Sequence, residues 1–343
     1  MLYRPIKIGN VLIPGNLFLA PVAGYSDRAF RGVCKRGGAD FTYTEMVSAE
    51  ALVRGSEKTS LLMLKSPEET QFAVQLFGGN ADVMGKAVDC VLSGKVIPDV
   101  IDINAGCPVP KIVKTGAGSA LTRDPERLYQ VTLAAVKSCT IYAQENKIEQ
   151  IPVTVKIRSG WDSEHLSWKE AAHAAIEAGA AAVTLHGRTR AQGYEGLSDW
   201  SLLAELSQIV AQKTNSTVPV FGSGDVFSPE AAKKMLEQTN CSGVMFARGA
   251  LGNPFVFIQT RQLLQTGSYE EISPEIRIRY GMDELRCLIT DFGEESACRQ
   301  MRKRFCAYSK GLSGGALLRE KIVSAKTESD YVNIFSEAGF VSL

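Results

Sequence analysis

One short segment, Asp102-Ile103-Asn104-Ala105-Gly106-Cys107-Pro108, sets a thiol in a Gly-Cys-Pro loop directly after an apolar run. Reducing an activated C=C bond needs hydride at one carbon and a proton at its neighbour, and a positioned thiol can supply that proton. The alternative for Cys107 is an inert buried loop cysteine. Unlike Cys90 and Cys139, however, it does not fall on an apolar helix face.

Polar residues also follow the next apolar runs: Lys156 and Arg158, then His186-Gly187-Arg188-Thr189-Arg190, Gly222-Ser223-Gly224-Asp225 and Ala247-Arg248-Gly249. Glycines at the last two places let backbone N–H groups approach a phosphate, a following short helix would add its dipole, and Arg248 adds charge. The same glycines also suit ordinary tight turns. Lys156 is long enough to reach the N1–C2=O edge of a flavin and stabilise the reduced ring, or is a solvated strand-end lysine. His186 stands beside two arginines, which favours a ligand contact over a structural role.

These residues need a scaffold that brings successive strand ends to one place. Strand candidates are Leu17–Val22, Phe41–Met46, Phe72–Phe77, Val100–Asn104, Val153–Ile157, Ala182–His186, Val218–Gly222 and Gly243–Ala247. They are apolar nearly throughout, as parallel strands covered on both faces should be. Helices fill the gaps, with Asp124-Pro125-Glu126 and Ser228-Pro229-Glu230 as starts and Leu128, Val131 and Ala135 at helical spacing in the first. The alternation predicts a TIM (β/α)8 barrel. A doubly wound sheet is the other arrangement, but no G-x-G-x-x-G follows the first strand, where Ala20-Pro21-Val22-Ala23-Gly24 stands. Residues 3–14 alternate around Gly9-Asn10 and predict a hairpin at the barrel's N-terminal end. Beyond Ser273-Pro274-Glu275, which opens a helix, only helical patterns occur, including Arg299–Gly311. The reading therefore divides the chain into a barrel over residues 1–265 and a C-terminal helical domain over 266–343.

Composition narrows the partners. With 343 residues and a formal net charge of +1, the chain is no simple polycation, so nucleic-acid binding would need a local patch. There is no run of about 18 apolar residues and no signal-peptide core at Met1-Leu2-Tyr3-Arg4, so the protein is expected to be cytoplasmic and off the membrane. Its eight cysteines form no C-x-x-C pair, and no metal is expected.

Taken together, the segments resemble the dihydrouridine synthase family, FMN enzymes that reduce uridine in tRNA, and within it the bacterial B-type branch. The resemblance rests on Ala20–Asp27, Thr44–Ala49, Val74–Gly78, Asp102–Pro108, Lys156–Trp161 and His186–Gln192, in order over residues 16 to about 255. It implies that Cys107 protonates C5 of uracil while the flavin N5 gives hydride to C6, with NADPH or NADH as the electron donor. It further implies that Pro21, Val22 and Ala23 line the flavin and that Gln75 hydrogen-bonds its ring. Lys156 and His186 would contact the ring and its tail, and Ser223, Gly224, Asp225, Ala247 and Arg248 would hold the phosphate end. Asn104 would read the uracil edge, with Arg158 and Arg188 as substrate contacts. The family often has Met, Asn and Gly where Val22, Ser223 and Ala247 stand here.

Basic and acidic side chains balance over residues 255–343, yet Arg299, Arg302, Lys303, Arg304, Lys310, Arg319 and Lys321 crowd one segment opposed only by Glu320. Such a patch on a neutral protein is the footprint of a polyanion, and Arg302, Lys303 and Arg304 are read as tRNA contacts of a monomer. A solvated helical face is the alternative. Tyr308 or Phe305 could stack on a base, although Phe305 suits the helix core better. Two rival functions remain at this point: a dihydroorotate-dehydrogenase-like flavoenzyme acting on a free pyrimidine, and an inactive barrel kept as an RNA-binding module.

Overall fold

In the computed structural model, which describes residues 2–340, the apolar runs become parallel strands that curl around an axis. A short antiparallel hairpin comes first, β1 (Ile6–Ile8) and β2 (Val11–Ile13), turning at Gly9 with φ +57°. The sheet follows as β3 (Leu17–Leu19), β4 (Phe41–Thr42), β5 (Val47–Ser48), β6 (Ala73–Phe77), β7 (Val100–Ala105), β8 (Val153–Arg158), β9 (Ala182–His186), β10 (Val220–Ser223) and β11 (Gly243–Phe246). Apart from β4 and β5, which do not pair with each other, each pairs in parallel with its sequence neighbours, and β11 returns to β3. Tyr43 bridges to Ala73 and the Thr44 N–H donates to the Ala73 carbonyl at 3.0 Å, which closes the ring between β4 and β6. The architecture is the TIM barrel.

The expected second strand, Phe41–Met46, is broken into β4 and β5. Thr44 causes the break. Its hydroxyl accepts the Gln75 N–H at 3.1 Å and donates to the Glu45 carbonyl, so a side chain replaces a ladder carbonyl. Elsewhere the apolar runs and the strands differ mainly at their ends.

The bore below the strand ends is filled. Phe18 packs edge-on against Phe221 at 4.8 Å and Phe41 against Tyr43 at 5.4 Å, while Ile6, Ile8 and Ile13 of the hairpin join the same apolar cluster. A floor of aromatic rings leaves only the C-terminal mouth for chemistry. Helices cover the outside, and their starts follow the capping residues. Asp124 accepts from the Arg127 N–H ahead of Pro125–Asn146, and Ser228 from the Ala231 N–H ahead of Pro229–Thr239. Leu128, Val131 and Ala135 are buried on the barrel, as their spacing requires.

Past the helix Val256–Thr266, four helices, Pro274–Phe292, Glu294–Tyr308, Gly315–Ser324 and Glu328–Glu337, enclose a separate apolar core that also takes in Ala29. The helix expected over Arg299–Gly311 starts earlier, after Gly293, with Glu294 and Glu295 in its first turn. Residues 341–343 of the expected helical domain lie outside the described residues. Among the described residues no helix is long and apolar enough to cross a membrane.

Candidate active site at the barrel mouth

The strand ends converge on one cleft. It is lined by Pro21, Val22 and Ala23 after β3, Gln75 on β6, Asn104 and Cys107 at the end of β7, Lys156 and Arg158 on β8, and His186 on β9. Ser223, Gly224 and Asp225 after β10 and Ala247 and Arg248 after β11 complete the far side. Met46, Tyr194 and Phe227 also line it, although sequence reasoning passed over them. Tyr194 and Phe227 sit in irregular loops that no spacing marked out, whereas Met46 ends the expected second strand, where the barrel gathers its site residues.

Cys107 is half-buried, and its backbone N–H donates to Asn104 Oδ1 at 2.9 Å. Burial pushes the thiol up, against the Val109 N–H and the charges of Arg158 and Lys156, so it keeps its proton at neutral pH. That suits an acid rather than a nucleophile. Burial pushes Lys156 down to about 8, helped by Arg158 and opposed by Asp102 and Cys107, so it is charged at neutral pH but loses its proton more readily than a surface lysine. His186 is held well below its usual value by burial and then by the surrounding cations, first Lys156, and is neutral. Its Nε2 lies 3.4 Å from Arg188 Nη1. A guanidinium only donates, so Nε2 accepts and Nδ1 carries the proton.

At the far end of the cleft the backbone after β10 packs tightly on its neighbours. Gly224 has φ +109°, and a Cβ there would fall 2.4 Å from Ser198 Oγ and 2.6 Å from His186 Cδ2. Ser198 Oγ is itself buried without a hydrogen-bond partner. The Arg248 guanidinium sits 4.5 Å from the centre of the Tyr194 ring and 5.0 Å from that of Phe227, held by cation–π contacts. A glycine turn at Gly224 and a cation held at the cleft wall, Arg248, fit a phosphate. The turn after β11 is a 3-10 helix of three residues, Arg248–Ala250. It is too short to contribute the helix dipole expected there.

Several sequence expectations need correction. Arg188 does not reach the cleft: it is 2 % exposed, donates to the Glu195 and Gly196 carbonyls and pairs with Asp225, so it shapes the loop instead of touching substrate. The Asp225 carboxylate is likewise engaged, by Arg188, the Ser198 N–H and Arg248. Burial raises Asp225, but these partners outweigh it and its pKa falls, so a charged carboxylate orients the arginines and cannot itself hold a phosphate. Arg158 lines the cleft, yet its Nε and Nη1 donate to the carbonyls of Gly106, Thr189 and Gly193, stapling the Cys107 loop to the loop after β9.

The basic segment of the helical region divides by face. Lys303, Lys310 and Arg319 line a second cleft, facing Tyr25, Phe227 and Arg248. Lys303 Nζ donates to the Gly24 carbonyl at 2.7 Å and lies 4.1 Å from the Tyr25 ring centre. Arg302 points elsewhere, donating to the Ala325 carbonyl through Nε and Nη2. Arg304 is 2 % exposed and ion-paired with Asp27 and Glu284, which removes it from any RNA-facing surface. Tyr308 is buried as well, its hydroxyl donating to Glu284 Oε2 at 2.8 Å, and cannot stack on a base. Phe305 lies in the helical core.

With this geometry in hand, a family model described as Dihydrouridine synthase matches residues 18–340. The chain belongs to the dihydrouridine synthase family. Among its relatives, a probable tRNA-dihydrouridine synthase of Treponema pallidum is 51% identical over 337 residues, covering 98% of this chain and 97% of that protein. The tRNA-dihydrouridine synthase B of Pasteurella multocida is 34% identical over 316 residues, 92% of this chain and 90% of that protein. Solved structures of similar fold include a 2-naphthoyl-CoA reductase (TM-score 0.55, 11% identity, 76% of this chain and 52% of that one) and the DHODH of Eimeria tenella (TM-score 0.53, 14% identity, 76% and 83%). At such identity they speak to the barrel alone.

Val22, Ser223 and Ala247, where the resemblance leads one to expect Met, Asn and Gly, all lie on the cleft wall. Val22 keeps an apolar wall apolar. At Ser223 and Ala247 the backbone donors survive the change of side chain.

Proposed function

We propose that this protein reduces the C5=C6 bond of uridines in tRNA to 5,6-dihydrouridine, with FMN as its cofactor and NADPH or NADH as the electron donor. The observation that carries the reading is the gathering of Cys107, Lys156, His186, Gly224 and Arg248 in one cleft of a dihydrouridine synthase family member. When bound, the flavin supplies hydride to C6 of the uracil. Pro21, Val22 and Ala23 would wall its ring, Gln75 and Lys156 would hold the polar edge, and the Ser223–Gly224 backbone with Arg248 would take the phosphate.

Cys107 donates its proton to C5, leaving a thiolate that recovers a proton from solvent. The nearby charges of Arg158 and Lys156 favour that thiolate, and so assist the transfer, while burial keeps the resting thiol protonated. Asn104 holds the Cys107 backbone through Oδ1, and the Nδ2 hydrogen not given to Gln75, now beside Met46 Sδ, is the donor left for the uracil edge. Flipping a uridine from folded RNA costs a few kcal/mol, which contacts elsewhere must offset. We assign those contacts to the helical domain, residues 266–343, through Lys303, Lys310 and Arg319 beside the mouth.

The test is direct. The purified protein should be yellow, release FMN on denaturation, and form dihydrouridine in unmodified tRNA with NADPH while leaving orotate unchanged. Turnover of orotate without turnover of tRNA would favour the free-pyrimidine enzyme. A colourless protein that binds tRNA without modifying it would favour the RNA-binding module.

A further inference from the structure

Behind the cleft wall, three side chains form a chain of hydrogen bonds that ends on the Cys107 backbone. Asp102 on β7 is 1 % exposed and accepts from Thr154 Oγ1 and, at 2.6 Å, from Gln75 Nε2. Gln75 Oε1 accepts from Asn104 Nδ2 at 2.8 Å. Asn104 Oδ1 then accepts from the N–H groups of Gly106, at 3.2 Å, and Cys107, at 2.9 Å.

The two ends of a carboxamide have nearly the same shape, so its orientation is decided by the hydrogen bonds around it. An ionised carboxylate only accepts. Gln75 must therefore turn its NH2 towards Asp102, which leaves its oxygen for Asn104. Asn104 in turn must present its NH2 to Gln75 and its oxygen to the loop. A donor in place of Asp102 would reverse every step and bring an NH2 group against the two loop N–H groups. We propose that Asp102 is a positioning residue whose acceptor-only carboxylate sets the polarity of Gln75 and Asn104 and thereby holds the Cys107 loop in its working place.

The charge state agrees. Burial pushes Asp102 up to about 6, against hydrogen bonds from Thr154 and Gln75 and the charge of Lys156, so it is ionised at neutral pH. The inference rests on the reading of Cys107 as proton donor, but its first readout does not. In the purified full-length protein without tRNA, D102L keeps much of the size and removes every acceptor at position 102, so nothing fixes the direction in which Gln75 turns. Hydrogen exchange at the Gly106 and Cys107 amides should rise about tenfold or more, the effect of losing a buried hydrogen bond. Turnover of unmodified tRNA should fall with it.

Combining D102N with Q75E rebuilds the polarity by another route, because the amide at position 102 must then turn its NH2 to the new carboxylate, whose other oxygen accepts from Asn104. The D102N/Q75E double variant should be better protected than D102L and keep part of the turnover, whereas Q75E alone sets two carboxyl groups against each other and should turn over more slowly than the double variant. Unchanged exchange in D102L, or a double variant no better protected than D102L, overturns the proposal. So does exchange that follows polarity while all three variants turn over tRNA at the wild-type rate, since the loop would then be held without consequence. Failure of the function itself is separately visible: C107A would then reduce uridine as fast as the wild type, whatever the exchange data show.

Discussion

Arg304 gives the most exacting test of how the helical region is attached to the barrel. Its guanidinium pairs with Asp27, the cap of the helix Arg28–Arg36, and with Glu284 on Pro274–Phe292; the side chains are 2 %, 9 % and 0 % exposed. Burial opposes the Arg304 charge, but Asp27 and Glu284 outweigh it and its pKa rises, so it stays charged. Arg304→Met keeps much of the length and removes the only cation that pairs with both carboxylates among the described residues. Breaking a buried pair by deleting one partner costs about 3–5 kcal/mol, because the other charge is left without compensation. Total stabilities run to about 5–15 kcal/mol, so the change is large.

The pH dependence separates this account from lost packing. Burial already raises Glu284 above 4.5, and Arg304 is the first influence holding it down. Without that guanidinium the folded-state value climbs further. The folded variant then takes up a proton that the unfolded chain releases, in the window from 4.5 up to the new folded value. Stability in that window increases as pH falls. The deficit against wild type should therefore be near its full size at pH 8 and clearly smaller at pH 5.5, read from urea unfolding by circular dichroism. Adding Glu284→Gln should recover part of the loss at pH 8. A deficit below about 1 kcal/mol, or one equal at both pH values, would refute the reasoning, since it lies outside the range for an uncompensated buried charge.

Three other outcomes are expected. Cys107→Ala should retain flavin and be reduced normally by NADPH, yet form dihydrouridine about 10²–10⁴-fold more slowly; loss of flavin instead would make Cys107 structural. Because Lys156 titrates near 8 and is charged only below that, FMN retention followed by fluorescence should weaken as pH rises through 8, and Lys156→Met should abolish the step; the same step in the variant would assign it to another group. Replacing Lys303, Lys310 and Arg319 together by Ala should weaken tRNA binding and flatten its log–log salt dependence by about 0.7–0.9 for each phosphate no longer neutralised; coincident salt curves would place the RNA grip in the barrel loops.

Much of the barrel could be read directly, for a physical reason. Strands covered on both faces are apolar throughout, so Ala182–His186 stood out in the sequence at the limits it has in the fold. Once the barrel is accepted, its topology brings strand ends together, and Asn104, Cys107, Lys156 and His186 needed no distance information to be grouped. The break between β4 and β5 was not legible, because it depends on Thr44 exchanging a ladder bond for one to Gln75 across the sheet. Nor was the Asp102–Gln75–Asn104 chain, whose members look like ordinary strand polar residues until register aligns them.

The helical region shows where a charge count fails and periodicity would have served better. Ala297, Met301, Arg304, Phe305 and Tyr308 recur at three- and four-residue steps and form the buried stripe of Glu294–Tyr308. Arg304 belongs to that stripe by spacing, whereas Lys303, about 100° around the helix, faces the second cleft. Two adjacent cations in a basic run thus have opposite functions. Arg304 fixes the helix to Asp27, and Lys303 reaches the Gly24 carbonyl in the same segment that carries Pro21, Val22 and Ala23. The surface assigned to tRNA and the wall assigned to the flavin are therefore tied to one loop. A shift of the helical region would move that wall, and Arg304, although it does not line the cleft, is tied to it through Asp27.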